Sequence, residues 1–453
     1  MLHSFISCFF KIAYKEVVSL SEEKVSSETI SKYHEAIRTN YQRNLPYGIA
    51  QGILFFSGMG FYHYSTIFTN YIYDLSNSDQ IVGIMLAAMS FGFTFSQIFG
   101  SAIVEHLREK KPALLLSGFL FRLSWFFIGA AAVMFPPQIA LPVSIGIFFV
   151  GQIFNGIYIM IFFDVMSKVI PQEKRGPYFG LRNSISLFAQ SGCSFLAGTI
   201  VNRFSYAGGD SYIAPFGYAL CFFMAFAAHM FDLWMLKKLK EEPSPVTGER
   251  VSVWNKIRGI PHFLRKDQNF ALYCILRSFL HAGFMIAPFV IGYARQQIEF
   301  TGTTLGTFTS VNLLAWSFGM FTWGKISTRT GFKRIMEIST LLLSAAYFLS
   351  PWLTSFQLFF VFFIATGFIA GGQMLSFDNL QMEFGRPDNR PTYIAVSTFI
   401  SGIAGAGAPV FAGFLADRFN YVTLFYVFGS VMLLAAALMI IKVNDPRKVD
   451  TYW

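Results

Sequence analysis

Charge is what the sequence has least of. Asp, Glu, Lys and Arg make up 13% of its 453 residues, about half of the roughly 25% usual for a soluble domain. A chain this poor in charge cannot cover a globule of its size with hydrated surface. It is 54% hydrophobic, with mean hydropathy +0.49, and reads as a membrane protein. Cysteine is scarce too. Cys8, Cys193, Cys221 and Cys274 are scattered, which excludes a disulfide framework or a thiolate metal site. No Asn-x-Ser/Thr acceptor occurs, as expected of a bacterial inner-membrane protein. The chain also has no Gly-x-x-x-x-Gly-Lys-Ser/Thr loop, His-Glu-x-x-His or Gly-x-Ser-x-Gly. Neither an enzyme nor a bound metal or cofactor has a carrier here. The first residues lack a positive n-region and a small-residue cleavage site, so they are not a signal peptide.

What is present comes twice. Phe163-Asp164, Pro171, Arg175 and Tyr178 lead into an apolar segment ending Ala197-Gly198 and Arg203-Phe204. Phe377-Asp378, Pro387, Arg390 and Tyr393 lead into another, ending Ala412-Gly413 and Arg418-Phe419. From the arginine onward the copies register without a gap, 215 residues apart (390 − 175). Two homologous halves with an Asp-ended span, a short Pro/Arg loop and a further span are a hallmark of secondary transporters.

Twelve apolar spans are expected, near 46–72, 80–104, 112–135, 141–167, 177–201, 212–236, 269–294, 303–326, 334–352, 356–377, 391–415 and 421–441. Each is long enough for a hydrocarbon core of about 30 Å. The domains follow: an extension over 1–45, a six-span bundle over 46–236, a linker over 237–268, a second bundle over 269–442 and a tail over 443–453. Basic residues gather on one set of loops, for example Arg108, Lys110 and Lys111, then Lys174 and Arg175, then Lys333 and Arg334. The opposite loops hold only Arg203, Arg295 and Arg418. The basic side, with both termini, is therefore expected to be cytoplasmic. The net charge of +10 is topology and not a nucleic-acid surface. Leu2, Phe5, Ile6, Phe9, Phe10, Ala13 and Val17 recur at helical spacing, which suits either a membrane-surface helix or a tail that packs on nothing. In the linker, Val253, Trp254, Ile257, Ile260, Phe263 and Leu264 among basic residues read as a helix on the anionic inner leaflet.

The two six-span halves, with cytoplasmic linker and termini, resemble the major facilitator superfamily. After span 8, Gly324-Lys-Ile-Ser-Thr328-Arg329-Thr-Gly331-Phe-Lys333-Arg334 is similar to its loop motif Gly-x-x-x-Asp-Arg-x-Gly-Arg-Arg, with Thr328 in the Asp place. After span 2, Gly100, Glu105, Arg108, Lys110 and Lys111 match it one residue out of step. Gly413-Phe-Leu-Ala-Asp417-Arg418 is similar to the end of the family's span 11. The resemblance implies an all-α fold of twelve transmembrane helices in two pseudo-symmetric bundles. It also implies secondary active transport of a small organic solute by alternating access. A drug or metabolite efflux antiporter and a non-transporting scaffold or sensor remain as alternatives. The family's cytoplasmic latch falls on Gly100, Glu105, Arg108, Lys110, Gly324, Arg329, Gly331, Lys333 and Arg334, with Asp164, Arg175, Asp378 and Arg390 as partners.

Charge at membrane depth costs about 2.5–3.5 kcal/mol on insertion scales, so each such group needs a reason. Arg122 and Arg277 lie deepest, roughly 15 Å and 12 Å into spans 3 and 7 by helix rise. On span 7 Arg277 shares a helix face with His281. The pair is read as an anion site, against the alternative of an internal ion pair. Arg122 is read as a structural pair or a snorkelling group. Gln152 and Asn155 on span 4, Asn312 on span 8, Gln373 on span 10 and Tyr62 on span 1 complete the candidate substrate contacts. No carboxylate is legible at mid-depth, because Asp164 and Asp378 lie near cytoplasmic ends. A coupling proton would fall to His281; exchange and uniport stay open. The expected partners are the solute, that proton and the lipid bilayer, with the chain a monomer.

Overall fold

The computed structural model describes residues 27–104, 109–205, 215–243, 253–384 and 390–448. The apolar pattern at the amino terminus lies outside the described residues, which form helices joined by short loops and contain no strand. Span 1 is α1 (Ser27–Tyr62), a single π-helical turn over Tyr64–Phe68, and α2 (Thr69–Ser76). Then come α3 (Asp79–Val104), α4 (Lys111–Met134), α5 (Pro137–Val169), α6 (Arg175–Ser205) and α7 (Pro215–Lys238). A linker helix, α8 (Val253–Lys266), leads to span 7, which is also broken: α9 (Gln268–Met285) and α10 (Phe289–Gln297). The rest are α11 (Gly302–Thr330), α12 (Phe332–Leu349), α13 (Phe356–Glu383), α14 (Arg390–Arg418) and α15 (Tyr421–Lys442).

Helix ends follow local chemistry. The Asp267 carboxylate accepts from Phe270 N at 2.9 Å and starts α9, and the Asn420 side chain accepts from Thr423 N at 2.8 Å and starts α15. Between α11 and α12 the chain turns at Gly331, whose φ of 83° and ψ of 163° suit only glycine.

Ten stretches among the described residues are long and apolar enough to cross a membrane by length and composition. Spans 1 and 8 fall outside that set, yet both are long helices. α11 carries Thr303, Thr307, Ser310 and Asn312, a polar load that a helix packed against other helices can hold. α1 begins at Ser27, so residues 27–45 extend the first crossing helix and are not a detached segment. Asn40 Nδ2 donates to Glu242 at 2.6 Å and Asn44 Nδ2 to the Lys240 carbonyl at 3.0 Å, which ties this extension to the start of the linker.

One end of the molecule carries the start of α1, the end of α15 and α8; we call it the terminal face, and its opposite the far face. The buried apolar residues form three clusters. One is shared by both halves at the far face, from Tyr71, Phe148 and Val201 to Ile291, Phe308 and Phe425. The other two are separate at the terminal face: Leu114, Phe162 and Tyr178 in the first half, Phe270, Tyr273 and Tyr393 in the second. The halves thus share one apolar core at the far face and keep separate ones at the terminal face. α8 joins the second divided core. Ile260, Phe263 and Leu264 pack on it, with Phe263 edge-on to Phe270 and Tyr393 at 5.9 and 4.8 Å. Protein therefore covers residues of the face expected to lie on lipid, because these aromatic rings offer apolar surface beside it.

The repeat closes the far face. Gly198 of α6 lies against Gly302 and Gly306 of α11, and Gly413 of α14 lies against Asp79 and Gln80 of α3. A Cβ on either glycine would meet partner backbone at under 3.0 Å. Here glycine is required by close approach of two helices.

Candidate functional site

Between the halves, where spans 1 and 7 both break, lies a cavity of about 80 Å³. The first half supplies the π-turn residues His63, Tyr64, Ser65 and Thr66, with Leu86 and Met89 of α3. The second supplies Phe284, Met285 and Pro288 at the break, Asn312 and Trp316 of α11, Leu343 and Tyr347 of α12, and Phe362, Phe363, Thr366 and Ala370 of α13. Broken helices in corresponding positions of two halves leave backbone groups free at a site, the physical basis of binding in such proteins.

Seven residues were expected at the site. Asn312 lines the cavity, although its Nδ2 donates to the Phe363 carbonyl at 2.8 Å. Arg277 is buried on α9. Its Nη1 donates to the Ser397 carbonyl at 2.9 Å and to Ser401 Oγ at 2.7 Å, its guanidinium lies 5.3 Å from the Phe377 ring centroid, and its Nε has no partner. No carboxylate among the described residues forms an ion pair with it. His281 follows one turn later, edge-on to Phe377 at 5.8 Å. Gln373 is fully buried, and neither atom of its amide has a hydrogen-bond partner. Gln152 and Asn155 bond each other at 3.1 Å on α5; of the seven, only Asn312 is among the residues lining the cavity. Tyr62 departs from expectation. It is buried inside the first bundle, its ring stacked on Trp125 at 3.6 Å, because α1 turns that face toward α4.

Mid-depth charge also needs correcting. Asp232 of α7 is fully buried and holds Arg122 in two bonds, Nε to Oδ2 at 2.9 Å and Nη2 to Oδ1 at 2.8 Å. His229 Nδ1 lies 3.2 Å from the same carboxylate, and Gln51 Nε2 donates to it at 3.1 Å. Arg182 of α6 reaches Gln51 Oε1 at 2.7 Å. Sequence reasoning passed over Asp232, His229 and Arg182. The usable signal was an Asp inside an otherwise apolar run, three residues after a His.

The latch residues fall into two unlike sets. In the first half Lys110 Nζ pairs with Asp164 at 2.6 Å, and Arg175 Nη2 donates to the Ser167 carbonyl at 2.7 Å across the loop between α5 and α6. Gly100 packs against Ile157 and Met160 of α5. Glu105 and Arg108 lie outside the described residues, as does the side chain of Arg390. In the second half the matching set does not assemble. Lys333 and Arg334 are both held by Glu337 of their own helix, Arg329 is exposed, and Asp378 is exposed without an ion pair among the described residues. Gly324, expected to admit a neighbouring backbone, has only Leu375 near, at 4.0 Å. Glu337 provides the reason: it is a closer carboxylate than Asp378 for both cations.

The far face carries polar bridges between the halves. Arg295 pairs with Asp74 at 2.6 Å and donates to Asn70 at 2.8 Å. Asp79 accepts from Tyr73 at 2.5 Å and from Tyr421 of the other half at 2.6 Å. Asp417 caps α3 across the interface, accepting from Ser78 Oγ, Asp79 N and Gln80 N at 2.9, 2.9 and 3.0 Å.

The family model of the Major Facilitator Superfamily matches residues 52–290 and again 273–451. No curated protein matches the chain. Solved transporters share the fold. A D-xylose–proton symporter superposes with a TM-score of 0.71 at 14% identity, covering 90% of this chain and 99% of that one. The inward-open xylose transporter XylE from E. coli gives 0.63 at 15%, covering 92% and 100%. The nucleoside transporter NupG gives 0.65 at 13%, covering 89% and 100%. At such identities the likeness concerns the fold alone.

Proposed function

Because the chain belongs to the Major Facilitator Superfamily, we propose that it is a secondary transporter that carries a small organic anion across a bacterial inner membrane by alternating access, with Arg277 as the anchor for the anionic group. One observation carries the reading: a guanidinium buried in the second half, two helical turns from the cavity residue Phe284, with an unpartnered Nε and no carboxylate ion pair among the described residues. Arginine does not lose its proton at cellular pH, so it needs a counter-charge. A substrate carboxylate or phosphate supplies one with two-point geometry. The basic loops support a cytoplasmic terminal face. In this reading Lys110, Asp164 and Arg175 hold the cytoplasmic loops of the first half in place.

The test is substrate affinity in wild type, Arg277→Lys and Arg277→Gln. Lysine keeps the charge and loses the fork, and glutamine loses both. A hydrogen bond to a charged group contributes about 1.5–3 kcal/mol, so Arg277→Gln should weaken binding roughly tenfold to a hundredfold, with Arg277→Lys between it and wild type. Unchanged affinity in both variants, or a preferred substrate that is neutral or cationic, would overturn the assignment and leave Arg277 a structural residue.

A further inference from the structure

The cavity and Arg277 belong to one strip of the second half. On α9, Arg277, His281 and Phe284 follow at i, i+4 and i+7, so they share a face, and Phe284 lines the cavity. On α13, Thr366 and Ala370 line the cavity, and Gln373 and Phe377 continue the same face toward the guanidinium that Phe377 touches. α11 adds Trp316.

Along this strip three buried polar groups have no partner: Trp316 Nε1, both amide atoms of Gln373, and Arg277 Nε. A buried polar group left unpaired is costly, and a membrane core offers no water to repair it. The first half also has unpartnered atoms, including His229 Nε2 and Arg182 Nε. Those surround the Arg122–Asp232 pair inside the first bundle, whereas Gln373 and Arg277, though outside the cavity lining themselves, share helix faces with Ala370 and Phe284, which line it.

Resting on the transport reading above, we propose that this strip is the substrate site and that its substrate is an amphipathic organic anion. The ring or short hydrocarbon body sits among Phe284, Met285, Met89 and Leu343. A polar group on that body is held by Trp316 and Gln373, and the anionic head reaches Arg277. The donor inventory fixes these roles. Indole Nε1–H only donates, so it calls for an acceptor; an amide both donates and accepts; Arg277 Nε–H donates toward negative charge. The apolar walls also set a limit. A sugar would bury several hydroxyls against Phe, Met and Leu with too few partners, and unpaired polar groups are what such sites reject most strongly. The structural likeness to a xylose symporter therefore carries no sugar specificity over to this chain.

The test uses the purified full-length protein and four probes: 3-phenylpropionate, its neutral counterpart 3-phenylpropanol, lactate and D-xylose. Binding is read as a shift in thermal unfolding and by titration. The expected result is saturable stabilisation by 3-phenylpropionate, with the alcohol at least tenfold weaker. Two variants probe the orphaned groups. Trp316→Phe keeps a ring and removes the N–H; Gln373→Leu keeps the volume and removes the amide. Each should weaken binding of 3-phenylpropionate several-fold to about tenfold. Gln373→Leu should also raise the melting temperature of the empty protein, because it removes an unpaired amide, and a purely structural glutamine would not behave so. Binding of lactate that depends on Arg277, without binding of 3-phenylpropionate, overturns the amphipathic substrate and leaves the anion reading standing. Preference for D-xylose or for the alcohol overturns both. Gln373→Leu that lowers the empty protein's melting temperature and leaves affinity unchanged overturns the role of the strip, as does the absence of any 3-phenylpropionate binding.

Discussion

Replacing Asp232 with Asn should destabilise the protein more than most single changes, and the size of the loss can be worked out. The carboxylate accepts two bonds from Arg122, one from Gln51, and lies 3.2 Å from His229 Nδ1, with no exposed surface on either charged side chain. The remaining Arg122 bond goes to the Gly118 carbonyl at 2.8 Å, and the guanidinium lies 4.5 Å from the Tyr158 ring centroid. Asn keeps the shape of Asp but brings no charge and turns an NH₂ toward the cation. Breaking one side of a buried ion pair costs about 3–5 kcal/mol, because the other charge stays behind. Removing both charges together is far cheaper, often neutral, when apolar groups of similar volume replace them. The double variant Arg122→Met with Asp232→Leu should therefore sit within about 1 kcal/mol of wild type, and the cycle should show strong positive coupling. Unfolding free energies from titration with a denaturing detergent, checked by thermal melts, measure each corner. The reasoning fails if Asp232→Asn lies within about 1 kcal/mol of wild type, or if the double variant loses the sum of the two single ones.

Gly198→Val puts a branched side chain against the backbone of Gly302 and Gly306 and should hold the far face ajar. A cysteine replacing the buried Asn70, in a background without other cysteines, should then react with a membrane-impermeant thiol reagent far faster; equal rates would show that this crossing does not seal the face. Gly331→Ala forces a Cβ into a φ of 83° and against the Arg447 guanidinium, which should cost about 1–3 kcal/mol, seen as a lower melting temperature; an unchanged melt would contradict that backbone requirement.

The features legible in the sequence were those that broke a pattern. A repeat in register and an arginine inside an apolar run each stand out against a hydrophobic background; the first carried the fold and its two halves, and the second marked Arg277 as a buried cation. Trp316 did not stand out. In a chain with 55 Phe residues an aromatic reads as packing, and only the position of its N–H beside a cavity distinguishes it. The break in span 1 was also silent. Tyr62-His63-Tyr64-Ser65 holds no Gly or Pro, so the π-turn is imposed by packing and not by local propensity. For α8, periodicity marked the apolar face correctly but could not say what would cover it, because that depended on Phe270 and Tyr393 being brought alongside. Asp232 was missed for a related reason. It lies six residues from Lys238, where carboxylates at helix ends are ordinary, and only the packing of α4 against α7 puts it opposite Arg122.

The two faces are held by different means, and this bears on what drives the cycle. At the far face the halves are joined by Arg295 to Asp74, by the Tyr73–Asp79–Tyr421 bridge and by the Asp417 cap on α3. At the terminal face the charges are mostly occupied within one half: Lys110 with Asp164, Lys333 and Arg334 with Glu337. Opening the far face breaks a set of bonds, each contributing about 1 kcal/mol net, and the terminal face must supply replacements. Asp378 fits that need, being exposed and without an ion pair among the described residues, although it lies within electrostatic reach of Arg277. It is also the repeat partner of the region around Asp164, which has found its lysine already. A ligand shifts such a balance only by its difference in affinity for the two states. Under the proposed transport reading Arg277 would create that difference: its bonds to Ser397 and Ser401 span α9 and α14 within one half, so the proposed anchor is set before the other half closes over it.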